Sequence, residues 1–134
     1  MVAFSKELLI GIDHIDKQHK ALIEYTNNLI SLGSKASNQE EIEKSLVFMG
    51  TYVLKHFADE EALQVKIGYP QYERHHKLHL DFINVYKTLV DNYKRNGHSP
   101  KFITVYKSTV VAWVVNHIMA EDQIIGKYYR SITC

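Results

Sequence analysis

"HFADEEALQVKIGYPQYERHHKLH", residues 56–79, places a pair of potential chelating side chains on each side of a helix breaker. His56 and Glu60 lie four residues apart, and so do His75 and His79. Positions four apart differ by about 40° around a helix axis, so each pair can converge on one point from one helix face. Between the pairs, "KIGYP" at 66–70 combines glycine and proline, a strong interruption of helix. The stretch therefore reads as helix, turn, helix, with the two pairs on neighbouring helices.

Two more breaker clusters, "GSKASNQ" at 33–39 and "NGHSP" at 96–100, divide the chain into four segments: about Asp16 to Leu32, then about 40–65, 70–95 and 101–129. None shows sustained strand alternation. Four comparable helices with short connections predict an all-α fold, an up-down-up-down four-helix bundle with an N-terminal arm. At 134 residues, one domain with a single core is expected.

The inward faces follow from the periodicity. Ile42, Leu46, Met49, Val53, His56, Glu60 and Leu63 recur at steps of three and four. So do Tyr72, His75, His79, Phe82, Tyr86, Leu89 and Tyr93 in the third segment. His19 heads a stripe with Leu22, Ile23, Thr26, Leu29 and Ile30. Ile103, Tyr106, Val110, Trp113, His117 and Ile124 form the fourth. Every helix thus carries imidazole toward the core, and one carries a carboxylate.

A single core histidine is usually a hydrogen-bonded structural residue. Five of them beside a buried glutamate, with no lysine or arginine on the same stripes, require a different compensation, because burying an unpaired carboxylate is costly. A divalent metal accepts both imidazole nitrogen and carboxylate oxygen. A zincin would need a glutamate directly after the first histidine, which "HHKLH" lacks. A ferritin-like site would need two E-x-x-H motifs, and the one match, Glu73 to His76, falls off the apolar stripe. His14, His76 and His98 also lie off the stripes or in a loop and are expected to be solvated.

Bulk composition narrows the partners. Sixteen basic and fifteen acidic residues leave a formal charge of +1, which favours neither nucleic acid nor an anionic membrane. The longest apolar run, "VVAWVV", is far too short to span a bilayer, and the N-terminus lacks a secretory pattern. A cytoplasmic location is expected. The single cysteine, Cys134, permits no intrachain disulfide and reads as an incidental terminal thiol.

The motifs "GIDHIDKQHKAL" around His19, "HFADEE" from His56, "HHKLH" and "NHIMAED" from His117 occur in the order and approximate separations of a known family: the chain resembles the bacterial hemerythrins, across nearly its whole length. The resemblance implies a single hemerythrin-like domain over residues 1–134 and a cofactor of two non-haem iron ions with a bridging oxo or hydroxo group. It implies that His75, His79 and His117 hold one iron, His19 and His56 the other, and that Glu60 and Asp122 bridge them. That set leaves one position open, at the iron with two histidines, for dioxygen. The adjoining pocket is expected to be lined by Ile23, Trp113 and Ile118.

Spacing and resemblance differ at one residue. Glu121, four after His117, fits a regular helix, whereas Asp122, five after it, would be rotated by about 140°. The family pattern H-x-x-x-x-D selects Asp122, which a local π-type turn would bring into line. Phe4, where the family often has tryptophan, and Gln64, where an apolar residue is usual, are departures that bear on pocket polarity and remove no ligand.

The function implied is reversible dioxygen binding for oxygen transport, storage, delivery or sensing, by a protein that is not an enzyme. A di-iron redox enzyme (oxidase, peroxidase or nitric oxide-handling) and an iron store are the alternatives. No protein partner is indicated by the sequence.

Overall fold

A computed structural model describes residues 2–33 and 39–133. Most of the first breaker cluster, and Cys134, lie outside these residues. Three long helices are continuous: α1 (Asp13–Gly33), α2 (Gln39–Ile67) and α3 (Tyr72–Asn96). The fourth, over 100–133, is also unbroken in direction but contains two π-helical turns, Lys107–Val111 and Ile118–Asp122. No strand occurs among the described residues. The fold is the four-helix bundle the periodicity predicts.

Local chemistry sets the ends. Gly97, at φ 71°, takes the left-handed conformation that closes α3, with its N–H donating to the Tyr93 carbonyl at 2.7 Å. Ser99 then caps the fourth helix by accepting from the Phe102 N–H, and Pro100 occupies the first turn, where a missing donor costs nothing.

The fourth stripe needs a correction. Ile124 is 40% exposed, and Ile125 is fully buried instead. Each π turn absorbs one extra residue, so the inward face runs Tyr106, Val110, Val114, His117 and Ile118, then Asp122 and Ile125. Constant helical steps from Trp113 miss that change of phase.

Two apolar clusters result. The larger joins all four helices and includes Leu22, Val53, Phe57, Phe82, Tyr106 and Ile118. The smaller, made of Ile10, Ile12, Ile15, Tyr69 and Ile125, closes one end of the bundle. The N-terminal arm reaches that end through polar contacts. Asp16 accepts from the Ile10 N–H at 2.8 Å, and the Arg130 guanidinium donates to the Ile10 carbonyl at 2.6 Å.

Gly126 is where the arm crosses the fourth helix most closely. A Cβ there would lie 2.0 Å from the Ile10 carbonyl oxygen, which is backbone and cannot rotate away. Gly126→Ala is expected to lower unfolding free energy by about 1–3 kcal/mol, as overpacking does. Denaturant titration of the variant checks this, with a midpoint equal to the parent's as the contrary result.

Candidate metal centre

His19 of α1, His56 and Glu60 of α2, His75 and His79 of α3, and His117 and Asp122 of the fourth helix are all buried and converge between the two apolar clusters. They form two groups of possible ligands: Glu60, His75, His79, His117 and Asp122 in one, and His19, His56, Glu60 and Asp122 in the other. Within each group the candidate ligand atoms lie within 4.8 Å of one another. Glu60 and Asp122 belong to both.

The carboxylate oxygens divide accordingly. Glu60 Oε1 is 2.7 Å from His75 Nε2 and 3.2 Å from His79 Nε2, while its Oε2 is 3.2 Å from His56 Nε2 and 3.5 Å from His19 Nε2. Asp122 Oδ1 is 3.0 Å from His75 Nε2 and 3.1 Å from His117 Nε2, and its Oδ2 is 3.0 Å from His19 Nε2. Each carboxylate presents one oxygen to the three-histidine side and the other to the two-histidine side.

The electrostatics are those of a centre made for cations. Burial works against the charged form of His19 and of His75, but the adjacent carboxylates of Asp122 and Glu60 outweigh it and raise both pKa values to about 9. For His56 burial dominates and the pKa falls. Burial also opposes ionisation of Glu60, yet the surrounding imidazoles hold its carboxyl well below the usual range. Asp122, disfavoured by burial and by the Glu60 charge, is likewise held low by His117 and His19. The metal-free site therefore balances two carboxylates against protons on imidazole.

That balance is incomplete in hydrogen-bonding terms. His19 Nε2, His79 Nε2, Glu60 Oε2 and both Asp122 oxygens have no hydrogen-bond partner despite their close neighbours. Leaving several buried polar atoms unsatisfied is costly. Metal ions on the two sides would satisfy these atoms, and borderline imidazole with hard carboxylate suits a borderline transition metal such as iron. The residues present fit a pair of such ions.

Residues 10–129 match the family described as hemerythrin HHE cation binding domain. The chain belongs to the hemerythrin family. A bacteriohemerythrin of Stenotrophomonas maltophilia is 30% identical over 124 residues, spanning 92% of this chain and 78% of that protein. One of Pseudomonas aeruginosa is 31% identical over 124 residues, spanning 90% and 76%. A solved structure described as wild-type hemerythrin matches with a TM-score of 0.82 at 28% identity, covering 95% of each chain.

Within this hemerythrin fold, the choice between Glu121 and Asp122 has a structural basis. The π turn Ile118–Asp122 brings Asp122 beneath His117, at 1% exposure. Glu121 instead points outward and forms a two-pronged ion pair with Arg74, one arm of which measures 2.9 Å.

A small cavity of about 10 Å³ adjoins His19, His56, His117 and Asp122, with Leu22, Val53, Phe57, Phe82, Trp113, Val114 and Ile118 as its apolar walls. Of the three residues expected at an oxygen pocket, Trp113 and Ile118 are among these walls. Ile23 is not: it is buried in the main core, and Leu22 takes its place. The two residues flank the direction of His19 on opposite sides, about 60° and 40° away, and the cavity lies on the Leu22 side.

Sequence spacing did not reveal what holds the imidazoles. His56 Nδ1 is 2.7 Å from Gln18 Oε1, and Gln18 Nε2 donates in turn to Asp59 at 2.7 Å. His79 Nδ1 is 2.8 Å from Glu61, which also receives the partly exposed His76. Trp113 stacks on His117 with ring centroids 4.2 Å apart. These contacts aim the Nε2 atoms of His56 and His79 at the carboxylates, the usual arrangement around metal-binding histidine. Gln64, one turn beyond Glu60, is fully buried with both amide atoms unpartnered. His14 is exposed, as expected, whereas His98 is half-buried and its Nδ1 is enclosed.

Proposed function

We propose that this chain binds dioxygen reversibly at a pair of non-haem iron ions bridged by an oxo or hydroxo group, for oxygen transport, storage, delivery or sensing. In this reading His75, His79 and His117 hold one ion, His19 and His56 hold the other, and Glu60 and Asp122 give one oxygen to each. The observation that supports it most is the division of both buried carboxylates between a three-histidine side and a two-histidine side.

When bound, the ferrous pair supplies the electrons for reversible oxygenation. The chain supplies position and environment. The cavity borders His19 and His56, together with His117 and Asp122, so a small ligand there would lie within reach of an ion that His19 and His56 would hold. Its volume, about 10 Å³, is at the lower limit for a water-sized guest. Hydrocarbon and aromatic walls exclude bulk water from the reacting centre. Five neutral imidazoles bring less negative charge than a carboxylate-rich set, which favours binding over oxidative turnover.

No helix among the described residues is long and apolar enough to cross a membrane. The reading takes a cytoplasmic location and dioxygen as the ligand, with no role for nucleic acid.

Anaerobic reconstitution with ferrous iron tests it. Two irons per chain, with a visible charge-transfer band that appears in air and fades on deoxygenation, is the expected result. Irreversible conversion to the ferric form would favour a redox enzyme instead. Iron uptake without any dioxygen-dependent change would indicate storage or a structural centre.

A further inference from the structure

One wall of the cavity beside the two-histidine side is also the floor of a surface groove. That groove, of about 240 Å³, runs between α2 and α3 and is lined by Leu46, Gly50, Leu54, Ile83 and Val90 among others. Val53 and Phe82 line both the groove and the cavity. Each is nearly or fully buried, at 3% and 0% exposure, so a single layer of side chains separates solvent-facing apolar surface from the metal centre.

Val2, Phe4 and Leu8 of the N-terminal arm pack against the main core. Beyond the metal centre, the smaller cluster with Ile10, Ile15 and Ile125 closes the end of the bundle.

We propose that dioxygen enters and leaves the cavity from the α2–α3 groove, passing between Val53 and Phe82. The proposal rests on the dioxygen-binding reading above and adds the route and the residues that control it. Dioxygen is small, uncharged and apolar, and so partitions into a groove whose walls are almost entirely hydrocarbon. Hydrated ions would have to shed water between Val53 and Phe82, which offer no polar side-chain atom, and are excluded there.

Of the two residues, Phe82 is the fixed side. Its ring packs on Trp113 at 4.4 Å and on Phe57 at 5.9 Å. Tyr86, one turn further along α3, ties that helix to α2 by donating to the Leu46 carbonyl. Val53 is the smaller obstruction, and its bulk sets the width of the passage.

Side-chain size at Val53 therefore controls passage in both directions. In the iron-loaded protein, Val53→Ala is expected to raise the association and dissociation rates of dioxygen together, each about tenfold for a barrier lowered by roughly 1.4 kcal/mol. The equilibrium affinity then changes little. Val53→Ile should slow both rates. Val111→Ala opens a similar space in the main core, at a residue that lines neither the cavity nor the groove, and is expected to leave the association rate unchanged. Stopped-flow mixing with dioxygen, and trapping of the released gas, give the rates.

An unchanged association rate in Val53→Ala, or equal acceleration in Val111→Ala, overturns the route. Nitric oxide, an uncharged diatomic of dioxygen's size, mixed with the ferrous iron-loaded protein and followed by stopped-flow absorbance, separates this from failure of the functional reading. If the protein takes up no dioxygen but nitric oxide binds faster in Val53→Ala than in the parent, the route stands and the ligand is wrong. If nitric oxide binds at the same rate in both, the route is wrong whatever the ligand.

Discussion

Glu60→Ala is expected to leave the chain unable to retain two metal ions. Glu60 alone meets four imidazoles, two on each side of the centre, and no neighbouring carboxylate can replace its reach. Asp59 is committed to Gln18 and Lys55, and Glu61 to His76 and His79. Affinity for the pair should fall by well over the roughly 10–100-fold typical of losing a mere supporting contact around a ligand. The metal-free fold should suffer too, because breaking a buried ionic cluster from one side costs about 3–5 kcal/mol. Glu60→Gln separates the two effects: it keeps the volume, removes the charge, and should lose the metal with less damage to packing. Metal analysis after gel filtration and thermal unfolding give both readouts. Two irons retained by either variant would mean that Glu60 does not bridge.

The second large effect is a contrast between adjacent residues. Asp122→Ala should abolish stable loading, since its two oxygens face His75, His117 and His19. Glu121→Ala should keep two irons per chain. Its ion pair with Arg74 is partly exposed, with side-chain accessibilities of 55% for Arg74 and 21% for Glu121. Such pairs contribute about 0–1 kcal/mol, so the melting temperature should move by only a few degrees. Metal content measured on both variants decides the matter, and the reverse pattern would transfer the bridging role to Glu121.

Much of this architecture was legible in the residues because two periods coincide. The helical repeat and the four-residue separation of chelating side chains both put His56 with Glu60, and His75 with His79, on inward faces. The carboxylate of the fourth helix was not readable from spacing, since regular geometry selects Glu121. Only the family resemblance pointed to Asp122, and the π turn supplies the reason. The same turn puts Ile125 inside where constant steps from His117 select Ile124, and the other π turn, Lys107–Val111, likewise turns Val114 inward ahead of Trp113. Contacts between helices were out of reach altogether. Gln18 behind His56, Glu61 behind His79, and Leu22 in place of Ile23 at the cavity depend on how two helices rotate against each other. A stripe fixes that rotation only to within the breadth of a face.

The widened turn at Ile118–Asp122 also restricts how this protein can vary. Met119 and Ala120, on its outer side, are exposed and carry none of the contacts that assemble the centre, so their side chains are free to change. Their number is not. Removing one residue there restores an ordinary helix, turns the aspartate away from its histidines, and advances every later inward position, Ile125 and Gly126 included, by a fraction of a turn. The stretch therefore tolerates replacement and forbids deletion: in it, heredity must preserve a length more strictly than an alphabet.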